Sequence, residues 1–156
     1  MSVVLDAIDR ALGELRPVTA PPTGDLGYGR DLSCTSELSS TLTEVDPMST
    51  RGIAEATLRR LTTPRGMLPG DPSYGLDVRA FCSRGTPEAE LRDLAGIVRG
   101  EVTKDDRVAD VRVSVTRPGM GELRIELRLV PAAPAGTPFS LILAVTSAAV
   151  LLEGLT

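Results

Sequence analysis

The chain has no histidine and no tryptophan, and only two phenylalanines and two tyrosines among its 156 residues. Histidine is the usual general base near neutral pH and the commonest metal-ligating side chain. Exposed aromatic rings are the surfaces on which nucleic-acid bases stack. The composition therefore disfavours most acid–base and metal-dependent enzymes, and we expect no catalytic residue, no cofactor and no metal.

One enzymatic alternative is compatible with this composition. A pair of carboxylates can hydrolyse glycosidic bonds if one carboxyl has a raised pKa and the other stays ionised. Glu37 and Glu44 each lie in an otherwise uncharged stretch and are the candidates for such a pair. A peptidoglycan hydrolase is the alternative to a non-enzymatic role, although few aromatic rings are present to hold a sugar.

Positive charge and cysteine are also in short supply. The net charge is −4 and the sequence pI is about 4.9, so we expect no nucleic-acid partner, which would need a basic patch. Cys34 and Cys82 are the only cysteines, and they form no close-spaced metal motif. We expect reduced thiols packed as small apolar groups, with a disulfide between them as the alternative.

No hydrophobic run is long enough to cross a bilayer. The longest, residues 141–152, is interrupted by Thr146 and Ser147, whereas a membrane helix needs about 20 apolar residues. The first ten residues contain Asp6 and Asp9 and do not resemble a secretory signal. We expect a soluble protein that is made in the bacterial cytoplasm and does not contact membranes.

The N-terminal residues predict an amphipathic helix over residues 2–16, followed by a Pro/Gly-rich arm that ends at residue 27. Its apolar residues recur at helical spacing and are Val4, Leu5, Ile8, Leu12 and Leu15. The helix either packs on its own domain or docks on a neighbouring subunit. The remaining residues, 28–156, form the second predicted unit.

Two further helices have recognisable starts. Ser49 or Thr50 can cap a helix that begins near Arg51. The segment 86–88, Thr-Pro-Glu, has a capping residue, a proline and an acid in the order that typically begins a helix. Gly96 and Gly100 lie opposite the apolar stripe of this second helix, on a face that is either solvated or approached by another backbone.

The last third of the sequence predicts strands. Two runs in which apolar and polar residues alternate, 111–116 and 123–129, flank a Pro-Gly turn and predict a hairpin. A third strand includes Leu143 and Val145, and we expect it to be covered on both faces because Ile142 and Ala144 are also apolar. Residues 150–152 predict a short fourth strand. The fold class is therefore α+β, with two or three helices packed on a small, mostly antiparallel sheet.

Two Pro/Gly turns lie between the first of these helices and the next apolar segment, and we call residues 62–75 the connector. Four side chains in or just after the connector can hold it in place. They are Arg65, Asp71, Tyr74 and Asp77. We expect an ordered connector that keeps the helices and the sheet in register.

Several short motifs follow one another in the order found in a known family. They are Tyr28-Gly29-Arg30-Asp31-Leu32, Leu61-Thr62-Thr63-Pro64-Arg65-Gly66, Asp71-Pro72-Ser73-Tyr74-Gly75-Leu76-Asp77, Asp105-Asp106-Arg107-Val108, Gly121-Glu122-Leu123-Arg124-Ile125 and Pro138-Phe139-Ser140-Leu141. From about residue 28 to residue 152 the chain resembles the small baseplate wedge proteins of contractile phage tails and related injection systems, a family once labelled lysozyme-like.

The resemblance implies a structural subunit of the inner baseplate, located in a virion tail or an injection-system particle. Its partners would be other wedge proteins and the tail sheath, with the tube and the spike hub as further candidates. In this family the C-terminal sheet is similar to the interlocking part of the sheath subunit, and it gives the first sheath ring a place to attach. A sheath-like interaction module of a non-phage injection system is the remaining alternative.

The resemblance also points to individual residues. The family has a Glu-Pro-Arg triplet where the long helix meets the hairpin, and Asp105, Asp106 and Arg107 occupy these three positions here. From the residues alone this cluster is either a solvated turn or an arginine paired with a carboxylate. The resemblance favours the pair, which would fix this corner or a subunit contact. We further expect sheath strands to pair with an edge of the sheet, and assign Leu143 and Val145 either to that interface or to a structural motif.

Overall fold

The computed structural model describes residues 31–33, 44–83, 87–132 and 136–156, and it confirms the predicted α+β class. Its elements, in chain order, are β1 (Asp31–Leu32), β2 (Glu44–Val45), α1 (Thr50–Thr62), α2 (Arg79–Ser83), α3 (Glu88–Val102), β3 (Val108–Gly119), β4 (Glu122–Pro131), β5 (Phe139–Thr146) and β6 (Val150–Leu155). The predicted N-terminal helix and arm, together with Cys34 and Glu37, lie outside the described residues.

The four long strands form one antiparallel sheet in the order β3-β4-β5-β6. The predicted hairpin is present, and the alternation in its sequence determines which face is buried. Along β4, every second residue is apolar and at most 2% exposed. These residues are Leu123, Ile125, Leu127 and Leu129. The residues between them are exposed, so one face of the hairpin packs on the helices and the other meets solvent.

The structure corrects the prediction for the third strand. β5 is an inner strand between β4 and β6, and Leu143 and Val145 are completely buried in the core. Neither residue can contact a partner directly, so their assignment to the interface is wrong. Ile142 and Ala144 on the other face are only half-buried, and the expected cover on both faces is therefore incomplete. The edges of the four-stranded sheet are β3 and β6.

Helix α1 begins as predicted. Ser49 is its N-cap, and the hydroxyl oxygen accepts a hydrogen bond from the backbone N–H of Gly52 at 3.0 Å. The buried stripe of α1 includes Ile53, Thr57 and Leu61.

Helix α3 begins at Glu88 with Pro87 as its N-cap, one position away from the predicted arrangement, and Thr86 lies outside the described residues. A Cβ atom added at Gly96 or Gly100 would meet nothing within 4 Å, so this face of α3 is open to solvent within the described chain.

The helices pack on one face of the sheet. Helix α3 lies mainly on β3, α2 lies on β5, and α1 contacts α3. The shared core is aliphatic, as the scarcity of aromatic residues requires, with Phe139 as its one fully buried ring in the described chain. None of the described helices has both the length and the apolar character needed to cross a membrane.

Candidate functional site

The connector is attached to α1 by backbone hydrogen bonds at its C-terminal end. The N–H of Leu76 donates to the carbonyl of Arg60 at 2.8 Å, and the N–H of Val78 donates to the carbonyl of Leu61 at 3.1 Å. The chain therefore leaves α1, makes two turns and returns alongside the last turn of the same helix. The two turns between these backbone hydrogen bonds must therefore be fixed by side chains.

Glu101, in the last turn of α3, is the residue that holds this loop. Only 1% of its side chain is exposed. Oε1 accepts hydrogen bonds from Nη1 of Arg60 at 3.1 Å and from the N–H of Gly75 at 2.9 Å. Oε2 accepts from Nη2 of Arg65 at 2.8 Å and from Nζ of Lys104 at 2.7 Å. One buried carboxylate thus joins α1, the connector and α3.

Glu101 is held in its ionised form. Burial by itself raises the pKa of this carboxyl, but the hydrogen bonds from Lys104, Gly75 and Arg60 outweigh it, and the pKa is lower than its usual value of 4.5. A buried carboxylate is tolerated when its oxygens are fully hydrogen-bonded by cationic and backbone donors. We therefore treat Glu101 as the anchor of the connector.

Of the predicted connector residues, one bonds this anchor directly and a second contacts Arg60, which bonds it. Arg65 bonds Glu101 and also donates from Nε to the carbonyl of Gly75 at 3.3 Å. Tyr74 lies under the guanidinium of Arg60, whose Cζ is 4.4 Å from the ring centroid. The structure therefore brings Arg65 and Tyr74 together around one carboxylate.

The other two predicted residues act locally. The carboxylate of Asp71 accepts hydrogen bonds from the N–H and the hydroxyl of Ser73, and the hydroxyl bond is the main reason that the pKa of Asp71 is lowered. Asp77 pairs with Arg79, and Nη2 of Arg79 donates to the carbonyl of Thr62 at 3.1 Å. Asp71 shapes the second turn, and Asp77 orients Arg79, which bonds the end of α1.

Gly75 is a position where alanine should not fit. Its φ is +96°, and an added Cβ would lie 2.4 Å from the carbonyl oxygen of Thr63. Gly70 is the matched control, because its φ is +91° but an added Cβ there would meet nothing within 4 Å. We expect Gly70→Ala to cost about 1–2 kcal/mol from backbone strain alone. Gly75→Ala should cost about 2 kcal/mol more because the Thr63 backbone must also move. Urea unfolding of both variants measures this difference, and equal costs would show that the close approach is unimportant.

The corner between α3 and β3 contains the predicted ion pair. Arg107 donates from Nε to Oδ1 of Asp105 at 2.8 Å and from Nη2 to Oδ2 at 2.6 Å, so the pair is bidentate. The two side chains are only 10% and 11% exposed. Nη1 of Arg107 also donates to the carbonyl of Pro47 at 3.1 Å, which ties the corner to the segment before α1. Asp106, between Asp105 and Arg107, is exposed.

The Asp105 carboxylate is stabilised in the same way as Glu101. Burial raises its pKa, but the hydrogen bonds from Arg107 outweigh that effect, and the pKa falls below its usual value of 3.8. Arg60 adds a further favourable charge interaction with Asp105. The connector anchor and the corner are therefore parts of one electrostatic network around the end of α3.

This network predicts a loss of stability in acid. Glu101 and Asp105 both have folded-state pKa values below their usual values of 4.5 and 3.8. Their ionised forms stabilise the fold fully above about pH 5, and this stabilisation is lost as the pH falls through the lowered folded-state values. We expect the urea midpoint to fall between pH 5 and pH 3, and the fall to be smaller in Glu101→Gln. A midpoint that rises or stays constant over this range would contradict the two assignments.

Residues considered for other chemistry do not form a site in the described chain. Glu44 is exposed on β2, where it pairs in register with Leu32. Cys82 is a half-buried free thiol that donates to the carbonyl of Val145 at 3.4 Å, and burial raises its pKa. Among the described residues, no group of three histidine, cysteine or acidic side chains is placed to hold a metal ion.

Glu101 is the site residue that the sequence did not reveal. Two features could have identified it. An acid in the last turn of a helix is unfavourable next to the negative end of the helix dipole, so it needs a compensating partner. Lys104, three residues later, is at the spacing for such a partner.

No protein-family model matches the chain, and neither does any protein in a search of curated sequences.

Proposed function

We propose that this protein is a structural subunit of the inner baseplate wedge of a contractile tail or related injection system, and that its sheet gives the first sheath ring a strand to pair with. The family assignment in this proposal rests on the resemblance of the motifs. The attachment of the sheath rests on one observation, the edge strand β6. Within the described chain, β6 pairs with β5 on one side and with no strand on the other. An unpaired edge is the feature that accepts an additional strand.

The hydrogen-bond pattern shows which backbone groups face this edge. Ser140 and Thr156 exchange both of their N–H···O bonds, at 2.7 and 3.1 Å. Bonded and non-bonded pairs alternate along antiparallel strands, so Leu155 directs its N–H and C=O away from β5. At the other end, the N–H of Thr146 donates to the carbonyl of Ala149. By the same alternation, the backbone N–H and C=O of the next residue, Val150, point away from β5. Val150 and Leu155 therefore mark the two ends of the edge.

The side chains of β6 are consistent with a covered edge in the assembled particle. Leu151 lies on the face of β6 away from the helices and is 62% exposed beside the unpaired backbone edge. An edge strand with an exposed leucine is an aggregation hazard unless a partner covers it. The network around Glu101 and Arg107 would hold the helices and this sheet rigidly while the partner strand is added.

The test removes edge N–H groups without disturbing the pairing with β5. Proline is tolerated at the first residue of a strand and where the N–H faces solvent, so Val150→Pro combined with Leu155→Pro should fold. The double variant Val150→Ala, Leu155→Ala loses the same side chains but keeps both N–H groups. We expect baseplates with the proline variant to carry sheath at least about tenfold less often than baseplates with the alanine variant, which corresponds to 1.4 kcal/mol.

Electron microscopy of particles assembled with each variant gives the fraction that carries sheath. Thermal unfolding of the purified variants verifies that both remain folded. If the folded proline variant starts sheath as often as the alanine variant, strand addition at β6 is excluded.

A further inference from the structure

An apolar groove runs between α1 and the β6 end of the sheet, with a volume of about 340 Å³. Its floor and walls include Leu58, Leu143, Leu152 and Leu155, and Arg51 and Glu55 lie at its rim. Leu152 and Leu155 face this groove and are nearly half exposed. The groove is therefore an apolar surface on the helix-covered face of the sheet that the described helices do not cover.

The groove exists because the helical layer ends before the sheet does. Helices α3 and α2 lie on β3 and β5, and α1 contacts α3. Neighbouring helices pack about 8–10 Å apart, and neighbouring strands lie about 4.8 Å apart. One additional helix beside α1 would therefore lie at the β6 end of the sheet. Such a helix would complete the two-layer packing expected for this fold class.

The described chain begins next to this groove. The hydroxyl of Ser33 accepts a hydrogen bond from Nη2 of Arg51 at 2.6 Å and donates to Oε1 of Glu55 at 3.5 Å, and both partners are rim residues. Asp31, two residues earlier, pairs with Arg59 on the same helix. The described chain therefore begins alongside α1, at the side where the groove lies.

We propose that residues 2–16 of this chain dock in the groove as an amphipathic helix of the same molecule. As a helix they are about 22 Å long, which matches the roughly 20 Å length of β6. Residues 17–30 can span up to about 46 Å when extended, which is more than enough to connect the helix to Asp31. The apolar stripe of the segment would cover Leu152 and Leu155.

One border of the apolar stripe is charged, as is the groove rim. At 100° per residue, Asp9 and Arg16 lie next to the apolar stripe of residues 2–16. The rim offers Arg51, which is half exposed and pairs with the mostly buried Glu55 at 2.8 Å. Asp9 on the docked helix can therefore approach the exposed guanidinium of Arg51. This docking does not depend on the proposed function, because it uses the inner face of β6, whereas strand addition uses its backbone edge.

The test is nuclear Overhauser spectroscopy on the full chain with labelled methyl groups. We expect cross-peaks between Ile8 and the methyl groups of Leu152 and Leu155. A second sample that mixes labelled and unlabelled chains, observed with an intermolecular filter, should show none of them. Cross-peaks that pass the filter would instead indicate a second copy of the chain in the groove and would overturn the proposal.

Two matched variants determine which face of the segment is used. Ile8 is at the centre of the predicted stripe, whereas Val3 lies on the opposite side of the same helix. Ile8→Asp should abolish the remaining cross-peaks from Leu5 and Leu12 to Leu152 and Leu155, and Val3→Asp should leave them unchanged. The proposal fails if the wild-type chain shows no such cross-peaks, if Leu38 or Leu42 contacts the groove instead, or if the two variants behave alike.

Discussion

Glu101→Gln should lower the free energy of unfolding by about 3 kcal/mol. Removing one partner from a buried ion pair typically costs about 3–5 kcal/mol. The lower end applies here because Arg65 and Lys104 are 56% and 40% exposed and can return to water, whereas Arg60 cannot. For a chain of this size the melting temperature should fall by roughly 10 °C. Urea unfolding at pH 7 measures the free energy directly.

A matched substitution separates the anchor from ordinary surface charge. Glu153 pairs with Arg124 at 2.6 Å, but both side chains are nearly half exposed. Exposed pairs contribute about 0–1 kcal/mol, so Glu153→Gln should change the free energy of unfolding by less than 1 kcal/mol. Similar effects for Glu101→Gln and Glu153→Gln would mean that Glu101 is not the anchor of the connector.

Arg107→Gln should be the second large effect, with a loss of about 3 kcal/mol. The substitution leaves the carboxylate of Asp105 buried without its bidentate partner, and it removes the bond to the carbonyl of Pro47. The double variant Asp105→Asn, Arg107→Gln should lose less than the sum of the two single changes, because no buried charge remains. Urea unfolding of the three variants gives the coupling energy.

The control for this corner is an exposed ion pair that joins the two elements on either side of it, α3 and β3. Arg99 pairs with Asp110 at 3.0 Å, and the two side chains are 60% and 48% exposed. Arg99→Gln should cost less than about 1 kcal/mol. If Arg107→Gln costs no more than Arg99→Gln, the Asp105–Arg107 pair does not fix the corner.

Local sequence patterns predicted the parts of the fold that depend on neighbouring residues. The alternation along β4 predicted its buried face, and Ser49 was one of the two capping residues named for α1. The bidentate pair of Asp105 and Arg107 was also anticipated, although from the family's triplet rather than from the sequence pattern itself. In each case the interacting residues lie within a few positions of one another along the chain.

Long-range geometry could not be predicted in the same way. Glu101 receives hydrogen bonds from Gly75 and Arg60, which are 26 and 41 residues away in sequence. Leu143 and Val145 were assigned to an interface because their strand is apolar on both faces, a pattern that here belongs to an inner strand. The fourth strand also extends further than the predicted residues 150–152, to Leu155. A register shift in the β5–β6 pairing interrupts the alternation near Gly154, which hides the end of this strand in the sequence.

The most direct test of the structural role is to purify this chain from cells that assemble the particle. The chain can carry an affinity tag, and the bound proteins can be identified by mass spectrometry while the particles are viewed by electron microscopy. We predict that the tagged chain co-purifies with sheath, tube and other wedge subunits, and that the tag is located at the baseplate. Recovery of the chain alone, beside intact contractile particles that lack it, would contradict the account.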